Sequence, residues 1–219
     1  MIITTRDVPN VDNILINRNI INGTDTHKFL GVIIDKNLKF DAHISEISNK
    51  ISKSIGILYK LSSYLPTSTL KTLYFSLIHS YLSYANVVWG GTYATHLLPL
   101  FRLQKKSIRI INKVGYLHPT QNLFYDNKIL KLEDIHKHTL ACYAFKNFDI
   151  FASDTVRRYS TRNSTNLTSL RQRLNICLRS VFFQCPNIWS NLSDDMKTIT
   201  ELHLFKLHFK QNLIDAYRI

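Results

Sequence analysis

The chain has 219 residues, 45% hydrophobic and 20% charged, a balance that supports one or two globular domains and excludes a disordered or fibrous chain. Its 28 Lys and Arg against 15 Asp and Glu leave a formal net charge of +13, which points to a polyanionic partner. Three cysteines, Cys142, Cys177 and Cys185, are too few for a disulfide framework, and the start Met1-Ile2-Ile3-Thr4-Thr5-Arg6-Asp7 has no basic segment followed by an apolar one. An intracellular, reducing location is expected, nucleus and cytoplasm being indistinguishable. Asn-x-Ser/Thr matches at Asn22, Asn163, Asn166 and Asn191 are then chance features of an Asn-rich chain.

The first forty residues read as extended structure. Ile14-Leu15-Ile16 and Ile20-Ile21 flank Asn17-Arg18-Asn19, Asn22-Gly23 is a turn signal, and Phe29-Leu30-Gly31-Val32-Ile33-Ile34 is a short β-branched run. The pattern predicts a hairpin followed by one buried strand. From Asp41 the period becomes helical, with Ile44, Ile47, Ile51, Ile55, Leu58, Leu61 and Leu65 three or four residues apart, and Pro66 ends the helix. A second helix, capped by Thr67 or Ser68, is expected to about Tyr84, with Trp89-Gly90-Gly91 as its stop. A third is expected from about Leu97 to Val114, with Pro99 tolerable only in its first turn.

A stretch from Thr72 to Phe101 holds no charged side chain. Ser76, His79, Ser80, Ser83, Asn86, Gly90, Gly91 and His96 interrupt it, so it falls short of the ~18 consecutive apolar residues a membrane span needs. Beyond Tyr116, a helix is expected over about Leu132 to Phe148. A polar, exposed connector follows near residues 153–169, and then a helix from Ser193 or Asp194 to about Tyr217. The expected fold class is α+β, mainly α-helical.

Charge is concentrated in the middle of the chain. Residues 1–49 carry five basic and six acidic side chains, residues 50–115 nine and none, and residues 116–219 fourteen and nine. Lys50, Lys53, Lys60, Lys71, Arg102, Lys105, Lys106, Arg109 and Lys113 thus have no carboxylate among them, a field that attracts a polyanion. At ~100° per residue, Leu100, Leu103, Ser107, Ile110, Ile111 and Val114 of the third helix gather on one side, and its five cations fall within roughly 100° on the other.

Sites for chemistry are sparse. His136, His138 and Cys142 form H-x-H-x-x-x-C without the C-x-x-C or H-x-x-x-H spacing of a closed zinc site, so a metal is not expected. Asp194-Asp195 opens a predicted helix, where acids stabilise the N-terminus, and adjacent helical residues point ~100° apart, too far to share a cation. Asp35 stands alone after its strand and reads as a turn cap. No phosphate-binding glycine loop or nucleophile elbow is present.

Phe29-Leu30-Gly31-Val32-Ile33-Ile34-Asp35, with Leu38-Lys39-Phe40 and His43-Ile44, resembles the palm-to-thumb junction of jockey-like non-LTR (LINE-type) retrotransposon reverse transcriptases. Lys50 to Leu61, Leu65-Pro66, Leu73-Tyr74-Phe75-Ser76-Leu77-Ile78, Tyr84-Ala85 and Val88-Trp89 follow the family's order. So do the basic helix Leu100 to Asn112, Ile129-Leu130-Lys131-Leu132, Thr161-Arg162, Cys185-Pro186-Asn187-Ile188-Trp189-Ser190-Asn191-Leu192 and Phe205-Lys206 to Lys210. The resemblance implies a palm-edge β remnant at 1–40, a basic helical thumb at 41–115 and a helical C-terminal region at 116–219. It also implies that Ile2 to Thr5 follow the active-site turn, so that the metal-binding Asp and the Tyr-x-Asp-Asp turn of family polymerases fall before Met1.

The leading expectation is therefore a truncated RNA-directed DNA polymerase fragment, without catalytic residues of its own and needing no cofactor, Mg²⁺ belonging to the intact family enzyme. Lys50, Lys53, Lys60, Arg102, Lys105, Lys106, Arg109 and Lys113 would grip the phosphates of an RNA/DNA duplex or other nucleic acid. Phe29, Leu30 and Gly31 would lie near the primer end. Tyr59, Tyr64 and Trp89 could stack on bases, with core packing the alternative for Trp89. The competing readings are an enzyme built on Asp35, Asp194 and Asp195, a basic amphipathic protein for an anionic membrane or acidic partner, and a decayed remnant with no partner.

Overall fold

The computed structural model describes residues 14–16, 19–21, 23–153, 167 and 172–218. The fold is α+β and mainly α-helical, as expected. Two antiparallel hairpins come first. β1 (Ile14–Ile16) pairs with β2 (Asn19–Ile21), and β3 (Thr26–Phe29) with β4 (Val32–Asp35). Asn17, Arg18 and Asn22 of the first predicted turn region lie outside the described residues, as do Ile2 to Thr5.

In the second hairpin Phe29 faces Val32, which leaves Leu30 and Gly31 as a two-residue turn with φ of 45° and 81°. Positive φ at both positions is the mirror-image turn whose twist suits paired strands. The run from Phe29 to Ile34, read as one buried strand, is thus bent back on itself, and Phe29 and Leu30 are exposed. A Leu-Gly turn lacks the Asn-Gly signal that would have marked it.

The Asp35 carboxylate then closes the loop into the first helix, accepting from the backbone N–H groups of Asn37 at 3.2 Å, Lys39 at 3.0 Å and Phe40 at 2.6 Å. Helix α1 (Asp41–Leu61) buries His43, Ile44, Ile47, Ile51, Ser54, Ile55 and Leu58 along one side, the stripe its spacing dictates. It ends before Pro66. Pro66 itself takes the N-cap position of α2 (Thr67–Tyr74), in extended conformation, so Thr67 starts that helix and neither Thr67 nor Ser68 caps it.

Helix α2 widens into a π turn (Phe75–His79) and continues as α3 (Ser80–Ser83). The stop comes earlier than Trp89: Ala85 takes φ 49°, and the single turn α4 (Asn86–Trp89) swings Trp89 into the core, where its Nε1 donates to the Tyr84 carbonyl at 2.9 Å. Gly90 follows where a side chain would collide with Asn86 and His136.

Helix α5 (Ala94–Ile111) begins three residues early and carries Pro99 in its second turn. It lies beside α1 and parallel to it: His96 pairs with Asp41 at one end (2.5 Å), and Ile110 and Lys113 meet Tyr59 and Lys60 at the other. Its buried residues are Leu100, Gln104, Ser107, Ile108 and Ile111; Leu103 and Ile110, expected within the apolar stripe, are partly buried on the flank toward α1. Gln104 is fully buried. Its Nε2 donates to Tyr74 Oη at 3.0 Å and to the Leu130 carbonyl at 2.9 Å, while Oε1 accepts from Leu132 N at 2.9 Å.

Helix α6 (Gln121–Asp126) and the start of α7 (Leu132–Lys146) complete a first core, to which Ile214 and Tyr217 return from the end of the chain. Tyr217 donates to the Asp134 carboxylate and accepts from Lys131 N at 3.1 Å. A second core joins the later half of α7 to α8 (Phe148–Ser153), α10 (Val181–Ser190) and α12 (Leu202–Asp215), with Phe145, Trp189, Phe205 and Phe209 at its centre. One short turn, α9 (Asn175–Leu178), precedes α10. The helix expected from Ser193 to Tyr217 is two, α11 (Asp194–Lys197) and α12, parted where Thr198 Oγ1 donates to the Asp195 carbonyl at 2.8 Å and competes with helix bonding. The connector read across 153–169 lies outside the described residues apart from Ser153 and Leu167. No helix among the described residues is long and apolar enough to cross a membrane.

Candidate nucleic-acid interface

Burial of Gln104 sets how α5 is rotated. Lys106, two residues on, projects ~160° away from it round the helix, and Arg102, Lys105 and Arg109 follow the same outward side. They share an open groove with Pro99, Leu103 and Tyr116. Arg102 and Lys106 are exposed; Lys105 Nζ stands 4.4 Å from the centre of the Phe101 ring. Arg109 is braced by its Nε donating to the His118 carbonyl at 2.8 Å and by the Tyr116 ring at 5.7 Å. Rings and a carbonyl orient these cations without neutralising them.

A second groove opens where α1 and α5 end together. Tyr59, Lys60, Ser62, Ser63 and Tyr64 line one wall, and Ile110, Lys113 and Val114 the other. Tyr59 is 67% and Tyr64 84% exposed, so their rings are available for stacking. Lys113 has left the helix with φ 54°. Lys53, seven residues before Lys60, shares its outward face. Among the described residues, Lys53, Lys60, Arg102, Lys105, Lys106, Arg109 and Lys113 have no carboxylate within 4.0 Å.

Lys50 is different. Its Nζ lies 2.6 Å from Glu46 Oε1, one turn earlier, and Glu46 also takes Lys28 at 3.0 Å. Hydrogen bonds from Lys50 and Lys28 hold the Glu46 carboxyl down to about 2. Lys50 therefore does have a local partner, contrary to the expectation from sequence, because the acid-free segment begins at residue 50 and Glu46 stands just outside it at the favourable i,i+4 spacing. It also lies beside Tyr81, on the flank of α1 away from α5.

That flank carries the hairpin tip. Tyr84 Oη donates to the Leu30 carbonyl at 2.7 Å, and a Cβ at Gly31 would come 3.7 Å from the same ring, an ordinary contact. Gly31 is needed for its φ of 81° rather than for space. Phe29 and Leu30 are 58% and 75% exposed beside it.

Two curated proteins are similar to this chain. The RNA-directed DNA polymerase from mobile element jockey of Drosophila funebris is 27% identical over 176 residues, 77% of this chain and 19% of the relative. The probable RNA-directed DNA polymerase from transposon X-element of Drosophila melanogaster is 26% identical over 116 residues, 51% of this chain and 13% of the relative. The chain is thus similar to a part of two mobile-element RNA-directed DNA polymerases. It spans a fifth or less of the length of either relative. No family model and no solved structure matches it.

The other residues singled out in the sequence fall into structural places. Trp89 is fully buried, so packing accounts for it. Asp194 and Asp195 occupy the exposed first turn of α11, and Asp35 is engaged by backbone N–H groups. His136 and His138 diverge: His136 bridges Asn86 Oδ1 at 2.8 Å and Gln184 Oε1 at 2.9 Å, while His138 turns to the Lys206 carbonyl on α12. Burial pushes the Cys142 thiol up to about 11 and Cys185 to about 12, which leaves both as core residues at neutral pH. Periodicity alone missed Tyr116 and Phe101, which position Arg109 and Lys105; Tyr116 lies past the helix end, where no repeat could place it.

Proposed function

We propose that this chain supplies the nucleic-acid grip of a reverse-transcriptase-like protein. Arg102, Lys105, Lys106, Arg109 and Lys113 of α5 and its end, with Lys53 and Lys60 of α1, hold the phosphates of a primer/template duplex, and the hairpin tip at Phe29, Leu30 and Gly31 lies toward the primer end. Lys50 has a lesser part. The supporting observation is the run of cations across two parallel helices with no carboxylate within 4.0 Å among the described residues, next to two exposed tyrosines. The relatives are polymerases by name, and a nucleic-acid duplex is the partner that name implies. The carboxylates and Mg²⁺ for nucleotidyl transfer come from outside these residues, since Asp35 is committed to the loop it closes. The role is binding rather than chemistry.

A salt series tests this. If the seven cations each neutralise a phosphate, log affinity for an RNA/DNA duplex falls with log salt at a slope of about −6.3, or roughly 6,000-fold between 50 and 200 mM. Replacing Arg102, Lys105, Lys106 and Arg109 together by Gln leaves Lys53, Lys60 and Lys113, a slope of about −2.7 and a fall of roughly 40-fold. An unchanged slope in that variant overturns the assignment, and Mg²⁺-dependent primer extension lost on Asp35→Ala overturns the separation of grip from chemistry.

A further inference from the structure

A second cationic surface lies across the first core from α5. Lys71 of α2 and Lys206 and Lys210 of α12 supply its charge, beside the rings of His79 in the π turn and His138 in α7, which burial keeps neutral at pH 7. His138 stacks on Phe209 with ring centroids 6.1 Å apart, and its Nε2 is 3.1 Å from the Lys206 carbonyl oxygen. Lys210 Nζ sits 5.8 Å from the centre of the Phe75 ring, which meets His79 edge-on at 5.2 Å. Phe75 adjoins Tyr74, the residue that Gln104 reaches from the inward side of α5, so the two cationic surfaces face opposite ways.

The arrangement is unfavourable as it stands. Lys71, Lys206 and Lys210 have no carboxylate within 4.0 Å among the described residues. Lys206 and Lys210 are like charges one turn apart on α12, a destabilising spacing. Lys210 is partly buried, and burial together with the Lys71 charge makes its ammonium easier to deprotonate. The Nδ1 of His79 is buried without a hydrogen-bond partner. Lys71 and Lys210, partly buried and near one another, call for an anion, with Lys206 exposed one turn away. Because they spread over α2 and α12 rather than enclosing one small cavity, an extended polyanion fits them better than a single phosphate.

We propose that this face holds a second stretch of nucleic-acid backbone, so that one molecule bridges two duplex segments; the inference rests on the reading of α5 as the first such surface. Two 12-base-pair RNA/DNA duplexes, one carrying a donor and the other an acceptor dye, test it in 50 mM salt, with the oligomeric state followed by sedimentation. The wild-type chain is expected to bind two duplexes per molecule and to give energy transfer. Lys71→Gln, Lys206→Gln and Lys210→Gln together should leave one duplex per molecule, held within twofold of the wild-type affinity of the α5 face, and lower bridging at least tenfold.

The quadruple Gln variant of α5 should keep only the duplex held by the second face. One duplex per wild-type molecule, lost in the quadruple variant, overturns the second surface and spares the α5 reading. One duplex per molecule lost only in the triple variant overturns the α5 reading, and bridging with it. Capture of phosphatidylserine vesicles that the triple variant loses, without duplex bridging, assigns the face to a membrane and overturns the proposal.

Discussion

Replacing Gln104 by Met keeps the side-chain length and removes the amide nitrogen and oxygen from the centre of the first core. Three partners lose their bonds: Tyr74 Oη, the Leu130 carbonyl and Leu132 N, at 3.0, 2.9 and 2.9 Å. A buried polar group left unpaired costs about 1–3 kcal/mol, so three cost about 3–9. Removing the buried amide itself returns about 1–3 kcal/mol. The net expectation, from the middle of each range, is a loss of about 4 kcal/mol, which lowers Tm by about 8–16 °C in a chain of this size. Urea unfolding followed by far-UV circular dichroism measures it, with the slope m unchanged. Tyr74→Phe removes one of the three partners and should cost about 1 kcal/mol. The double variant should cost less than the sum, because the hydroxyl orphaned by Gln104→Met is then gone. A Gln104→Met protein within about 0.5 kcal/mol of wild type, the range of an ordinary surface change, would refute the argument that this amide ties α5 to α2 and to the start of α7.

Lys50→Gln should leave the salt slope of duplex binding nearly unaltered, whereas Lys106→Gln should lower it by about 0.9, since only Lys50 is held by a carboxylate; equal effects would contradict the pairing. Glu46, kept down to about 2 by Lys50 and Lys28, contributes stability that is present above its ordinary 4.5 and lost as pH falls through 2. Glu46→Gln should therefore flatten the stability profile between those values in urea titrations. Burial lowers His79 to about 4 from 6.5. The unfolded chain takes up its proton first, so this contribution is complete above pH 6.5 and disappears as pH falls toward 4. His79→Phe should lose less stability over that interval than wild type, and identical losses would remove His79 from the account.

Much of this protein is legible in its amino-acid order. The three-or-four-residue spacing from Ile44 to Leu58 is a local property of a helix, and it locates the buried side of α1. The acid-free middle segment and the outward set of α5 cations are equally local, as charge and helical angle need no knowledge of neighbours. The family resemblance carried by residues from Phe29 to Lys210 points to the same kind of polymerase as the two Drosophila relatives.

What escaped the sequence was set by long-range partners or by backbone conformations with no residue signature. Leu30 and Ala85 turn the chain with positive φ although neither is glycine, and Leu30 is held there by Tyr84, 54 residues away. Gln104 reads as a surface residue until Tyr74, Leu130 and Leu132 satisfy its amide. The five residues of the second cationic face lie between positions 71 and 210, and only the packing of α12 on α7 brings them together. The sequence alone thus determined the helical faces and the sign of the charge, because neighbours three and four residues apart meet on any helix. Tertiary structure decided which cations remain unpaired and which surfaces they share, because hydrogen bonds and burial between distant segments set how each helix is turned.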